Sequence, residues 1–161
     1  MWGSERRSIS ISTGKERLMS EENRKAIRIS VRNLVEFVLR SGDIDNRRSG
    51  NAQKDAMLAG GRIHRKIQKR MGSGYRAEVP LKHEVQDEEI TLLVEGRADG
   101  IFTENGIPVI DEIKGMYTDI SRLEEPIEVH LAQAMCYGYF YCCDKDLDGI
   151  RLQMTYCNLE T

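Results

Sequence analysis

Gly96-Arg97-Ala98-Asp99-Gly100-Ile101-Phe102-Thr103-Glu104-Asn105-Gly106-Ile107-Pro108-Val109-Ile110-Asp111-Glu112-Ile113-Lys114-Gly115 contains two apolar runs joined at Asn105-Gly106. The turn between them decides the fold. An Asn-Gly pair is the strongest short-range signal for a two-residue hairpin turn, because both central positions need positive φ. A hairpin centred there lays Asp99 directly opposite Glu112, with Lys114 two residues farther along the second strand. Opposed residues share a face of an antiparallel pair, and so do residues two apart on one strand. Asp99, Glu112 and Lys114 are therefore expected on one side of the sheet and Asp111 on the other.

Two like charges placed opposite each other on a sheet are destabilising unless a cation lies between them. Magnesium takes hard oxygen ligands and is commonly held by one or two carboxylates, so Asp99 and Glu112 form a candidate site, with the carbonyl of Ile113 as a third oxygen. A divalent ion beside Lys114 suits phosphodiester hydrolysis, which requires an activated water, neutralised phosphoryl oxygens and a stabilised leaving oxygen. On hairpin geometry alone a second reading stays open, in which the carboxylates are solvated strand residues and Lys114 is their cross-strand partner.

Outward from the hairpin, strand patterns cover Arg76 to Val85, Ile90 to Phe102 and Ile107 to Ile113. Before them, Ser30 reads as the N-cap of a short amphipathic helix with apolar residues at 31, 34, 35, 38 and 39, closing near Gly42. A longer helix runs from about Ala52 to Met71, with Ala56, Gly60, Ile63, Ile67 and Met71 as its apolar stripe. Helical spacing returns from Glu128 to Cys143, and Asp148-Gly149 introduces a last strand from Ile150 to Cys157. The expected order is α-α-β-β-β-α-β, an α/β chain layered in the α+β manner with helices flanking a mixed central sheet. Residues 1–29 read as a flexible leader or an added extension, and residues 30–161 as one domain. An ending at Thr161, directly after the last strand, points to C-terminal truncation or to a domain excised from a larger protein.

The chain has 161 residues, 40% hydrophobic and 31% charged, which fits a single globular domain with a sizeable core. No run approaches the ~18 apolar residues of a membrane span, and no signal-peptide core is visible, so no membrane partner and a cytoplasmic location are expected. The net charge is only −2, yet Arg62, Arg65, Lys66, Lys69 and Arg70 crowd one stretch of the long helix. Such a stripe can meet a phosphate backbone even on a weakly acidic protein, although a charge run is more often a solvated surface. Cys136, Cys142, Cys143 and Cys157 match no zinc spacing and read as small buried hydrophobes.

Four blocks in order carry a resemblance. Gly96-Arg-Ala-Asp99-Gly-Ile and Ile-Asp-Glu112-Ile-Lys114-Gly resemble the two signature blocks of the PD-(D/E)XK nuclease superfamily, in its RecB-like exonuclease branch. Upstream, Gly61-Arg62-Ile63-His64 resembles the branch's histidine helix. Downstream, Gln133-Ala-Met-Cys-Tyr137 resembles its Gln-x-x-x-Tyr motif. The resemblance spans about residues 30 to 158.

The resemblance implies a restriction-endonuclease-like core and a deoxyribonuclease acting in DNA repair, recombination or processing. It implies Mg²⁺ or Mn²⁺ held by His64, Asp99, Glu112 and the Ile113 carbonyl, with Lys114 catalytic and Gln133 and Tyr137 shaping the site. The implied partner is DNA, as single strands or duplex ends, contacted by the five basic residues of the long helix and by Arg97. A helicase module, in cis or in trans, is a further implied partner. Relatives with an iron-sulfur cluster carry a cysteine after the first helix, where this chain reads Leu39-Arg40-Ser41-Gly42-Asp43, so no cluster is expected. Without the resemblance, His64 reads equally as a structural histidine, and Tyr137 as a core aromatic with Gln133 beside it. The alternative function is a catalytically silent DNA-binding module of a helicase-nuclease assembly.

Overall fold

The computed structural model describes residues 24–40 and 50–160. Its elements are β1 (Lys25–Ser30), α1 (Val31–Val38), α2 (Gly50–Arg70), β2 (Arg76–Gln86), β3 (Ile90–Glu104), β4 (Ile107–Met116), α3 (Glu128–Lys145) and β5 (Arg151–Asn158), with a 3₁₀ turn at Ile120–Arg122 before α3. The result is an α+β fold, a mixed five-stranded sheet flanked by helices.

The turn forms as its residues require. Asn105 has φ of 51° and Gly106 φ of 78°, and the ladder runs from Glu104 opposite Ile107 to Gly100 opposite Asp111. That is the expected register.

β3 organises the sheet. β2 runs antiparallel along one edge, pairing between Thr91 and Ile101, while the other edge is shared between two neighbours. β1 lies parallel to Ile90–Glu95, and β4 lies antiparallel to Gly100–Glu104. Between those stretches the two neighbours part, so residues 96–99 sit at a fork in the sheet. β5 then adds parallel to β4.

Ser30 ends β1 and caps α1, its hydroxyl accepting from the Asn33 amide at 3.1 Å. Val31 and Val35 of α1 join Val94, Ala98, Ile101, Ile110, Tyr137 and Phe140 in the core. Each fully buried aliphatic or aromatic side chain of this kind contributes about 1.5–3 kcal/mol.

Three expectations need correction or limit. The leader was expected to reach residue 29, but Lys25–Ser30 forms β1, so the order is β-α-α-β-β-β-α-β; residues 1–23, Gly42 and the loop around it lie outside the described residues. The cysteines do not behave alike: Cys136, Cys142 and Cys157 are half-buried while Cys143 is exposed, because one further residue rotates it about 100° around α3. Met71 falls just past the end of α2 and is 37% exposed, so the apolar stripe stops at Ile67.

Candidate metal centre

The fork brings together side chains from four elements. Asp99 lies at the end of the fork, where the ladder with β4 has stopped, and its Oδ2 accepts from the Ile113 amide at 2.7 Å. Its other oxygen lies 3.2 Å from His64 Nδ1, contributed by α2. That carboxylate raises the pKa of His64 above its ordinary value, against the opposing effect of burial. On β4, Lys114 Nζ lies 2.8 Å from Glu112 Oε1.

Glu112 is only 4% exposed, and its Oε2 is buried with no hydrogen-bond partner. Burial pushes its pKa up to about 7, with Asp99 adding to the rise and Lys114 opposing it. Tyr137 and Gln133 are both buried on α3. The tyrosine lies against the β3 backbone, where a Cβ on residue 96 would come within 2.6 Å of its hydroxyl oxygen. Burial, Glu112 and Asp99 all raise the pKa of Tyr137, which keeps the phenol protonated. Gln133 Oε1 is a second buried oxygen without a partner.

A cavity of about 400 Å³ opens beside this cluster, with Arg32, His64, Lys114, His130 and Gln133 in its wall. His130 is held neutral there. Burial and the nearby Lys114 and Arg32 push its pKa down to about 4.

The structure also assembles a group that sequence reasoning missed. One ligand atom each from His64, Glu78 and Asp99 lie within 4.8 Å of one another. Glu78 stands across β2 from Asp99, but the ladder skips that pair, bonding Ala77 to Gly100 and Val79 to Ala98 on either side. Its φ is 52°, in the left-handed region. No local pattern marks a glutamate with positive φ, and alternation along β2 gave it no special place. Glu112 is not in this group; one of its oxygens meets Lys114 instead.

Asp111 faces away from the cluster, as strand alternation requires, and is fully buried. It accepts from Tyr75 Oη at 2.8 Å, Thr155 Oγ1 at 2.6 Å and Gln153 Nε2 at 3.3 Å. Arg62, Arg65, Lys66, Lys69 and Arg70 are all exposed on α2. Arg97 is exposed too, opposite Pro80 on β2 and 4.0 Å from Glu78, whereas the hairpin register continued outward from Asn105-Gly106 would set it opposite Lys114. The ladder between β3 and β4 ends at Gly100, short of that pair.

Fold and site together define a class: an α+β protein whose mixed sheet forks around a histidine-carboxylate cluster backed by a lysine. No family model matches the sequence, and no curated protein matches it. The fold is similar to that of the crystal structure of SSO0001, at 19% identity and a TM-score of 0.57, over 91% of this chain and 71% of that one. At that identity the likeness speaks for the fold alone. Among the described residues, no helix is long and apolar enough to cross a membrane.

Proposed function

We propose that the chain is a metal-dependent deoxyribonuclease domain with a restriction-endonuclease-like core of the RecB-like type. The observation that carries this reading is Glu112, whose one oxygen binds Lys114 while the other is buried and unpartnered, within electrostatic reach of Asp99. A buried carboxylate oxygen without a partner costs several kcal/mol, and a cation at the fork removes that cost. The donor set, two carboxylates and an imidazole with the Ile113 carbonyl nearby in sequence, fits Mg²⁺ or Mn²⁺.

Such an ion, when bound, neutralises phosphoryl charge and lowers the pKa of water. The chain's own residues do the rest. Lys114 stands where it can orient the attacking water and stabilise charge growing on the phosphoryl oxygens. In the reaction the water oxygen bonds to phosphorus, the bond to the leaving oxygen breaks with its electron pair on that oxygen, and the water proton is released. Tyr137, kept protonated, accepts a hydrogen bond from the Arg97 backbone at the fork, and Gln133 faces the cavity beside Lys114. The exposed basic face of α2 lies on the helix that supplies His64, which supports phosphate contact by that helix.

Labelled single-stranded and duplex DNA incubated with Mg²⁺ or Mn²⁺ tests the reading. Wild type should cleave, while Asp99→Ala and Lys114→Ala should lose at least a hundredfold in rate. DNA binding with no cleavage by any form would leave the silent DNA-binding module instead.

A further inference from the structure

We infer that the cavity beside the cluster takes up one nucleotide of the bound strand, with His130 as a fixed hydrogen-bond donor to its phosphate. This rests on the DNA reading above and adds to it a phosphate contact made without metal.

The tautomer of His130 follows from what its ring touches. The Ile127 amide donates to Tyr156 Oη at 3.0 Å, and the same oxygen lies 3.3 Å from His130 Nδ1. The Tyr156 hydroxyl meets no other acceptor among the described residues, so its single proton goes to Nδ1. A ring that accepts at Nδ1 is neutral and carries its own proton on Nε2. The depressed pKa of His130, from burial and from the nearby Lys114 and Arg32, agrees with that neutral form. Its Nε2–H can therefore donate but cannot ligate a cation. Among the described residues no protein acceptor takes that proton, and the ring stands in the cavity wall, where a ligand can take it.

The rest of the wall suits a nucleotide. Arg32 and Lys114 bring positive charge from α1 and β4, although Glu36 in the same wall offsets part of it. Arg32 Nε is bound to Glu36 Oε1 at 3.0 Å and Lys114 Nζ to Glu112 Oε1 at 2.8 Å, a single contact on each side chain, which leaves further N–H groups on both. Gln133 has the opposite need, an Oε1 that is buried without a partner. Phosphoryl oxygens answer the donors, and an N–H of the base or a hydroxyl of the sugar answers the acceptor, so one nucleotide meets both. Met57 and Val129 add apolar surface, and a volume of about 400 Å³ is ordinary for a small-ligand pocket. The competing account makes His130 purely structural, a ring packed 5.8 Å from that of Tyr156 at the start of α3.

Oligonucleotides ending in a 5′-phosphate, in a 3′-phosphate or in hydroxyls, added in EDTA to the whole chain with ¹⁵N-labelled histidines, separate these accounts. Nuclear magnetic resonance should show His130 in the neutral Nε2–H form before addition, and its Nε2 signal should move as the strand binds. A shift with only one phosphorylated end assigns the contact to a strand terminus, and an equal shift with every oligonucleotide assigns it to an internal phosphodiester. His130→Ala should weaken strand binding about tenfold, as expected for one hydrogen bond to a charged group, and Tyr156→Phe, which admits the other tautomer, about threefold. Mn²⁺ affinity should stay that of wild type in both. An Nε2 signal that no oligonucleotide moves, or strand binding undiminished in His130→Ala, overturns the inference, since a purely structural His130 would lower the melting temperature alone. Cleavage in Mg²⁺ is scored separately: DNA cut equally well by wild type and His130→Ala sinks only this site, and a strand that moves the Nε2 signal yet is never cut sinks only the nuclease reading.

Discussion

Glu112 is an acid whose protonation the fold favours, which reverses the usual dependence of stability on pH. Its pKa lies at about 7 in the folded chain against an ordinary value of 4.5. Between those values the folded state holds a proton that the unfolded state has released, so stability is fully present below pH 4.5 and is lost as pH rises through 7. In EDTA, Glu112→Gln should therefore melt higher than wild type at pH 8, by on the order of 5 °C, and the gap should shrink towards pH 5. Differential scanning fluorimetry at the two pH values checks this, and a gap that does not change with pH would contradict it. Under the proposed function a bound metal would reverse the preference, because a ligand must shed its proton to bind. Since His64 is raised as well, Mn²⁺ affinity should fall between pH 8 and pH 6, approaching tenfold per pH unit for each proton displaced. Calorimetry in buffers of differing ionisation enthalpy would count those protons.

The central hairpin was legible in the sequence because its information is local. Asn105-Gly106 fixes the turn, and the turn fixes the register as far as Gly100 opposite Asp111, one residue short of Asp99 and Glu112. β1 was not legible in the same way. Lys25-Ala26-Ile27-Arg28-Ile29-Ser30 is short, follows a polar stretch, and finds its partner at Ile90–Glu95, which no local pattern announces. The glycines flanking Asp99 belong to this second kind. Gly96 lies under Tyr137, and a Cβ on Gly100 would come within 1.9 Å of the Tyr75 ring, whose hydroxyl is fastened to Asp111. Both requirements come from aromatic rings distant in sequence. Gly100→Ala should accordingly cost about 3 kcal/mol or more, as an overpacked site that cannot relax. Gly60→Ala on α2 should do the opposite: nothing lies within 4 Å of its added methyl, and alanine in a helix stabilises by about 0.5–1 kcal/mol. Urea unfolding of the two variants side by side tests the contrast.

Across the whole molecule the charge is nearly balanced, at −2, yet the cations are not evenly spread. Arg62, Arg65, Lys66, Lys69 and Arg70 stand exposed on α2, while the same helix turns His64 and Gln68 inward to Asp99 and Glu78. One helix thus carries both a basic outer face and two anchors of the carboxylate cluster. If that face meets DNA, it acts through phosphate contacts and counterion release, which carry no sequence preference and weaken steeply with salt. Arg65→Glu combined with Lys66→Glu should then weaken DNA binding about tenfold or more near 0.1 M salt. It should also flatten the plot of log affinity against log salt by about one for each lost contact. The same double variant should leave Mn²⁺ affinity within about twofold, because neither residue belongs to the candidate metal cluster and salt screens exposed charges on the outer face from it. Fluorescence anisotropy in EDTA measures the first effect and calorimetry the second. Equal loss of both would mean that the substitutions disturb α2 as a whole, and an unchanged salt slope would mean that DNA, if bound, approaches the fork over another surface.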